Sequence, residues 1–350
     1  MPRVWCGPKG EGYPRLAIEL KRQPPAFRAS VECYHPRLMR IVIVGAGGVG
    51  GYFGGRLAEA GADVVFLARG AHLDALRTHG LRILSPRGDA HIPRVQATDN
   101  PATIRDAGAV LFAVKLYDAA AAAPLLKQLV TNGAPDAVVI PLQNGVEGVD
   151  IVNAAVGRTH TAGGTCYVSA VIAEPGVIKH TAMDHLFFGE LDRTRSPRLT
   201  RLLDICRRAT FECTLSDDIQ VDVWTKFVRL SVFAGMTSVT RAPIGVTVGD
   251  PELLAMLKNA VAEAMAVARA KGIRVPDSTV EDAAKAFQAL PPQTKASMLE
   301  DLERGRRLEL PWLSGAVVRL GREVGVPTPV HSFINAVLTP YVSSALARSG

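Results

Sequence analysis

Long apolar runs free of charge are missing from this sequence. No stretch of about 18 residues reads as a bilayer crossing, so no membrane span is expected. Cysteine is scarce and unorganised: Cys6, Cys33, Cys166, Cys206 and Cys213 form no C-x-x-C pair and lie near no histidine cluster. That argues against a metal site or a disulfide framework and for free thiols in a reducing cytosol, hence a cytoplasmic location. Concentrated positive charge is absent too. The net charge is +7, but residues 1–38 hold seven Lys/Arg against three Glu, and the rest of the chain is scattered at about +3. This excludes a nucleic-acid footprint, whereas a small anionic ligand would find it favourable. There is no internal repeat, no low-complexity linker and, in residues 1–38, no apolar core of the kind a secretory signal needs.

What is present is ordinary for a soluble globular protein, with 48% hydrophobic and 21% charged residues, and 350 residues suit two domains. Residues 1–38, with PKGEGYPR and KRQPPAFR, have little periodicity, whereas Met39 opens directly into MRIVIVGAGGVGG. Met39 is the expected native start, and residues 1–38 an upstream extension, non-native or disordered, that does not pack.

From residue 40 strand and helix alternate: RIVIV, a small-residue helix, DVVFLAR, a helix at HLDALRTHG, short strands around LRILSP and HIPRVQAT, then AGAVLFAVK and DAVVIPLQN with an alanine-rich helix between them. Apolar strands of this length separated by helices predict a parallel sheet covered on both faces, a doubly wound α/β domain. After residue 160, TAGGTCYVSAVI, GVIKHTAM and DHLFFGEL read as antiparallel strands, followed by a helix at SPRLTRLLDICRRA. Beyond Ser216 only helical patterns remain, over 217–240, 251–271, 279–289, 306–324 and 328–346, punctuated by Pro291-Pro292 and Pro327 to Pro329. The expected division is 39–216 for the nucleotide domain and 217–350 for an all-helical C-terminal domain.

Gly45-Ala46-Gly47-Gly48-Val49-Gly50 is G-x-G-x-x-G directly after a strand and opening a helix. In that context it predicts a dinucleotide: the first glycine allows the tight turn, the second the approach of a diphosphate to the backbone, and the third close helix–sheet packing. An NAD site places Asp or Glu at the end of the second strand, but here that strand ends in Arg69 and Asp63 stands at its other end. Arginine pairs with a 2′-phosphate and cannot accept from a ribose hydroxyl, which favours NADPH/NADP+. Asn144 lies just past a strand's carboxyl end, where it either faces a ligand or simply makes an Asn-Gly turn. Lys115, ending FAVK, either reaches the cofactor or caps its strand in water.

Lys226 shares a helix face with Val223, Leu230, Phe233 and Ala234, all apolar. Its stem either snorkels, or its ammonium is partly desolvated and serves as the proton donor that hydride reduction of a carbonyl requires.

These features in this order, with RGAHLDAL, FAVK, PLQNG, DDIQVDVWTKF, SMLEDLERGRRLEL and SGAVV, resemble the ketopantoate reductases (2-dehydropantoate 2-reductase) from Met39 to about residue 345. The resemblance implies a Rossmann-type domain followed by a helical one with the site between them, and NADPH-dependent reduction of 2-dehydropantoate to (R)-pantoate on the pantothenate and coenzyme A route. It also implies Lys226 as general acid, Glu309 orienting or balancing that lysine, Ser297 on the substrate carboxylate, Asn144 beside nicotinamide and substrate, and Lys115 lining the cofactor cleft. Two departures stand out. Leu230 and Ala234 occupy positions where members of this family carry substrate-holding asparagines, and Glu309-Leu310-Pro311 with Ser314-Gly315 replaces Glu-Ile-Asp and a following Asn-Gly. Ser231, Thr237 or Arg241 are the expected substitute donors. A paralogous reductase of another 2-oxo acid and a non-catalytic NADP(H)-binding sensor are the competing readings. The sequence is compatible with a homodimer, because an apolar helix face packs equally well on its own core or on a second copy.

Overall fold

The computed structural model describes residues 39–343, so the extension expected over residues 1–38 lies outside the described residues. In chain order the elements are β1 (Arg40–Val44), α1 (Gly48–Glu59), β2 (Val64–Leu67), α2 (Gly70–His79), β3 (Leu81–Leu84), β4 (Ala90–Ile92), β5 (Gln96–Thr98), β6 (Ala107–Phe112), α3 (Leu116–Thr131), β7 (Val138–Pro141) and α4 (Gly148–Val156). There follow β8 (Gly163–Glu174), β9 (Val177–Gly189), α5 (Pro197–Cys206) and β10 (Glu212–Leu215). The rest is helical: α6 (Ile219–Thr240), α7 (Ile244–Gly249), α8 (Pro251–Ala270), α9 (Thr279–Gln288), α10 (Ser297–Glu303), α11 (Ser314–Val324) and α12 (Pro329–Leu338).

The first sheet is parallel throughout, in the order β5-β2-β1-β6-β7. Its central strand is apolar on both faces because both are covered. Ile41 and Ile43 join the core formed with α1 and α5, while Val42 and Val44 join the core formed with α3 and α4. The chain runs outward from β1 through β2 to β5 and then returns to β6 on the other side of β1. That reversal opens a crevice at the carboxyl end of β1, the place where open α/β sheets take ligands.

The second sheet runs β10-β9-β3-β4, with β8 antiparallel to β9. The expected antiparallel pairing after residue 160 holds for this hairpin only, since β9 pairs in parallel with both β3 and β10. The short strands β3 and β4 belong to this second sheet rather than to the doubly wound one. Period-two patterning identifies a strand but carries nothing about a partner some ninety residues away in the chain.

Among the described residues every strand has ended by Leu215. The helix expected over 306–324 begins only at Ser314. Gly305, at φ +62°, ends α10, and the Glu309–Pro311 stretch turns into a short 3-10 segment, Leu310–Trp312. The last helix, expected to residue 346, gives way after Leu338 to a 3-10 turn containing Pro340, and its expected end falls outside the described residues. No helix among the described residues is long and apolar enough to cross a membrane.

His331 on α12 lies deep in the helical core, fully buried, with Nε2 donating to Ala260 O at 3.0 Å and Nδ1 without a partner. Burial pushes its pKa down to about 4, the Ala260 carbonyl opposing only in part. The folded state therefore keeps this ring neutral while the unfolded chain takes up a proton below about 6.5. Stability is expected to fall as pH drops from about 6.5 to about 4, by about 3 kcal/mol for this group, and to level below that. His331→Gln, which keeps a donor but does not titrate, should flatten the pH dependence of the denaturant midpoint across that window. An identical slope in the variant would remove His331 as its cause.

Candidate active site

At the carboxyl end of β1 the chain turns at Gly45, whose φ of +95° and separation of 2.8 Å from its would-be Cβ to the Val114 nitrogen admit no side chain. Gly50 closes the loop from behind: a Cβ there would sit 2.1 Å from the Gly45 oxygen. Between them Ala46 is buried, Gly48 starts α1 and Val49 packs against the core, while Gly47 borders open space, with nothing within 4 Å of a would-be Cβ. The loop thus offers bare backbone and the start of a 12-residue helix to the crevice, which fits a diphosphate.

Arg69 precedes α2 at the end of β2, is exposed, and makes no ion pair or side-chain hydrogen bond among the described residues. Asp63 is committed at the opposite end of that strand, pairing with Arg40 at 2.9 Å and accepting from Gln96 at 2.9 Å. The cation at the acceptor position has no side-chain partner among the described residues, whereas Asp63 is paired, as is Asp99, which follows β5 beside that strand end and meets Arg77 at 3.2 Å.

Three strand and helix ends converge beside the loop. Lys115 follows β6 as the residue before α3, Asn144 follows β7, and Lys226 projects from the second turn of α6. Glu309 arrives from the helical part, buried at 5% exposure. Lys226 Nζ donates to Asn144 Oδ1 at 3.0 Å, Asn144 Nδ2 donates to Glu309 Oε2 at 3.2 Å, and Lys115 Nζ donates to the same Oε2 at 3.2 Å. The resemblance implies that Glu309 orients or balances Lys226. Glu309 forms its direct ion pair with Lys115 and reaches Lys226 through the Asn144 amide. Burial pulls the Lys115 ammonium down, but Glu309 and then Asp301 outweigh it, leaving its pKa above the ordinary lysine value. Gly145 takes the turn at φ +91°, and the Asn144 side chain beside it bridges Lys226 and Glu309.

Tyr167 on β8 lies under Lys226, the ammonium 5.7 Å from the ring centroid. Burial raises its hydroxyl pKa, so it is a neutral ring against which a lysine packs favourably. Sequence reading missed it, and nothing in TCYVSA distinguishes this aromatic from any other strand residue. Ser297 opens α10, exposed, and its hydroxyl makes no hydrogen bond among the described residues, so it is not joined to the Lys226 set.

The expected substitute donors are spent elsewhere. Ser231 and Thr237 are fully buried and donate to the carbonyls of Val228 (3.2 Å) and Phe233 (2.7 Å) on their own helix. Arg241 caps the end of α6 and stacks over Tyr341 at 5.4 Å. Ala234 is buried in the helical core, leaving half-buried Leu230 as the residue one turn beyond Lys226.

A glycine loop at the switch point of a parallel sheet, facing a lysine, an asparagine and a buried carboxylate from an appended helical part, defines a nucleotide-dependent oxidoreductase of two-part architecture. Comparison with known proteins agrees. The profile of ketopantoate reductase PanE/ApbA matches residues 41–193 and that of its C-terminal part matches residues 218–342. The chain belongs to the ketopantoate reductase family, whose members use NAD(P)H to act on a keto or hydroxyl group. It is 31% identical to the 2-dehydropantoate 2-reductase of Mesorhizobium japonicum over 325 residues, 86% of this chain and 96% of that one. The crystal structure of a PanE/ApbA family ketopantoate reductase from Ralstonia eutropha superimposes with a TM-score of 0.78 at 29% identity, over 87% of this chain and 98% of that one. D-mandelate dehydrogenase, solved with NADH and anilino(oxo)acetate, shares the fold at 20% identity, with a TM-score of 0.77 over 87% of this chain and 98% of that one.

Proposed function

We propose that this protein reduces a small 2-oxo acid with NADPH, 2-dehydropantoate being the first candidate and (R)-pantoate its product. The observation that carries the reading is the hydrogen-bonded series Lys226–Asn144–Glu309–Lys115 at the edge of the crevice that holds the glycine loop. Bound NADPH would supply the hydride to C2 of the substrate. Lys226 would give an Nζ proton to the oxygen that becomes an alkoxide, with Asn144 holding that ammonium in place. Glu309 keeps the Asn144 amide oriented, and Ser297 is retained as a candidate for the substrate carboxylate. The test is NADPH consumption with a panel of 2-oxo acids. Cofactor binding with turnover of no member would replace the reductase with a non-catalytic binder.

A second substrate reading has its own observation. With Ser231, Thr237 and Arg241 engaged elsewhere, the position one turn beyond Lys226 offers the hydrocarbon Leu230 in place of an amide, and the polar side chain of that turn is the cation Arg229, close to Tyr167. A substrate hydroxyl set against Leu230 would go unpaired at a cost of about 1–3 kcal/mol, which favours a 2-oxo acid with a hydrocarbon side chain. D-mandelate dehydrogenase, solved with an aromatic 2-oxo acid analogue, carries the same architecture. Within the panel, a kcat/KM higher for a branched or aromatic 2-oxo acid than for 2-dehydropantoate would decide for this substrate.

The cofactor preference rests on Arg69 being unpaired. Arg69→Ala should weaken NADPH by about tenfold to a hundredfold and NADH by little, since a charge-assisted pair to the 2′-phosphate exists only in the former. Equal losses in the two dissociation constants would mean that the arginine does not read the phosphate.

A further inference from the structure

The segment leading to Glu309 carries three arginines, and two of them have carboxylate partners. Arg304 pairs with Glu300 at 3.1 Å and Arg306 with Asp301 at 3.8 Å. Arg307 makes no ion pair among the described residues. Its guanidinium lies 4.6 Å from the Tyr117 ring centroid and 5.9 Å from that of Trp312, and the two rings stand 6.3 Å apart. Stacking of this kind fixes the plane of a guanidinium while leaving its N–H edge free, and an arginine held this way has lost little further freedom when an anion arrives.

The position of this clasp matters. Tyr117 sits in the first turn of α3, two residues past Lys115, at the carboxyl edge of β6, the strand next to the glycine-loop strand β1. Lys226 donates to Asn144, which follows β7, one strand further from the loop. Trp312 is locked to the same region, since its carbonyl oxygen lies 2.9 Å from the would-be Cβ of Gly145. An exposed cation without a counter-ion therefore stands over the edge that a dinucleotide laid across β1 and β6 must follow.

We propose that Arg307 binds a phosphate oxygen of the dinucleotide, so that the helical part of the chain supplies one ligand to a site otherwise built on the parallel sheet. The proposal rests on the reductase reading above. Tyr117 and Trp312 act as positioning residues, holding the guanidinium in the plane in which it meets the phosphate.

Direct titration of the full chain with NADPH, at several salt concentrations, tests this for the wild type, Arg307→Gln, Arg307→Lys and Tyr117→Phe. Arg307→Gln should weaken NADPH by about tenfold or more, flatten the salt dependence of its dissociation constant, and leave the KM of an accepted 2-oxo acid unchanged at saturating cofactor. Arg307→Lys should recover part of the loss, and Tyr117→Phe, which keeps the ring, should bind as the wild type does. A dissociation constant and salt slope in Arg307→Gln equal to the wild type's would overturn the proposal. So would a loss confined to the KM of the oxo acid, which would assign the arginine to the substrate carboxylate. Failure of the wild type itself to bind NADPH would overturn the reductase reading as well, whereas wild-type binding with an unaffected Arg307→Gln overturns this proposal alone.

Discussion

Lys226→Ala is expected to lower kcat by about a hundredfold to ten-thousandfold, the range for removing a positioned general acid, with the NADPH dissociation constant nearly unchanged. The separation of the two effects follows from geometry. Lys226 hangs from α6 and touches Asn144 and the face of Tyr167, whereas the glycine loop and Arg69 lie on the β1 and β2 side of the crevice. Removing the ammonium leaves Asn144 Oδ1 without its donor, yet Asn144 is only half-buried and water can take the place of the ammonium, so the fold should lose little. A guanidinium in place of the ammonium would keep the charge but, with a pKa far above the working range, would donate poorly, so Lys226→Arg should recover little of the rate. Turnover in Lys226→Ala equal to that of the wild type would remove this lysine from the chemistry.

The parts of this picture that were legible in the sequence are those written in local pattern. RIVIV reads as a strand buried on both faces, G-x-G-x-x-G reads as a bend into a helix, and the helix expected over 217–240 is found at Ile219–Thr240. The position of Arg69 in place of an acid was equally visible, because a strand end can be located from the strand itself. What could not be read were the partners. Lys115 and Glu309 meet across 194 residues of sequence, and Asn144 and Lys226 across 82. No periodicity encodes such a meeting, so neither the Lys115–Glu309 ion pair nor the Asn144 bridge between Glu309 and Lys226 is legible in the sequence. The same limit hid the parallel pairing of β9 with β3 and the ring of Tyr167 beneath the ammonium.

One error was avoidable. Ser231 and Thr237 are expected from the sequence to reach the ligand, although a hydroxyl within a helix commonly donates to a carbonyl one turn back. Both do so. The consequence reaches function, because neither hydroxyl makes up for the apolar Leu230 one turn beyond Lys226, the position on which the proposed preference for a hydrocarbon substrate rests.

Glu309→Gln should lower kcat by about tenfold to a hundredfold, through Asn144 rather than through Lys226. A carboxylate is acceptor-only, so Glu309 compels Asn144 to present its NH2 to it and its oxygen to the lysine. A glutamine side chain there can present either end. The Asn144 amide is then free to turn over, and in the turned state its NH2 faces an ammonium that has nothing to accept with. Lys115 feels the change in the opposite way: its pKa is held up against burial by Glu309 and Asp301, so losing the first of these lets it fall toward or below the ordinary value. The alkaline limb of the pH–rate profile should therefore move to lower pH in Glu309→Gln if Lys115 must stay charged for turnover. Lys115→Met separates the two roles. If Lys115 serves mainly to neutralise Glu309, the double variant Lys115→Met with Glu309→Gln should be no slower than Glu309→Gln alone, because the buried carboxylate that needed a counter-ion has gone. If Lys115 also meets the cofactor, the double variant should lose NADPH affinity that Glu309→Gln retains. A rate and pH profile in Glu309→Gln identical to those of the wild type would show that Asn144 keeps its orientation without the carboxylate, and the series that carries the functional reading would reduce to Lys226 and Asn144.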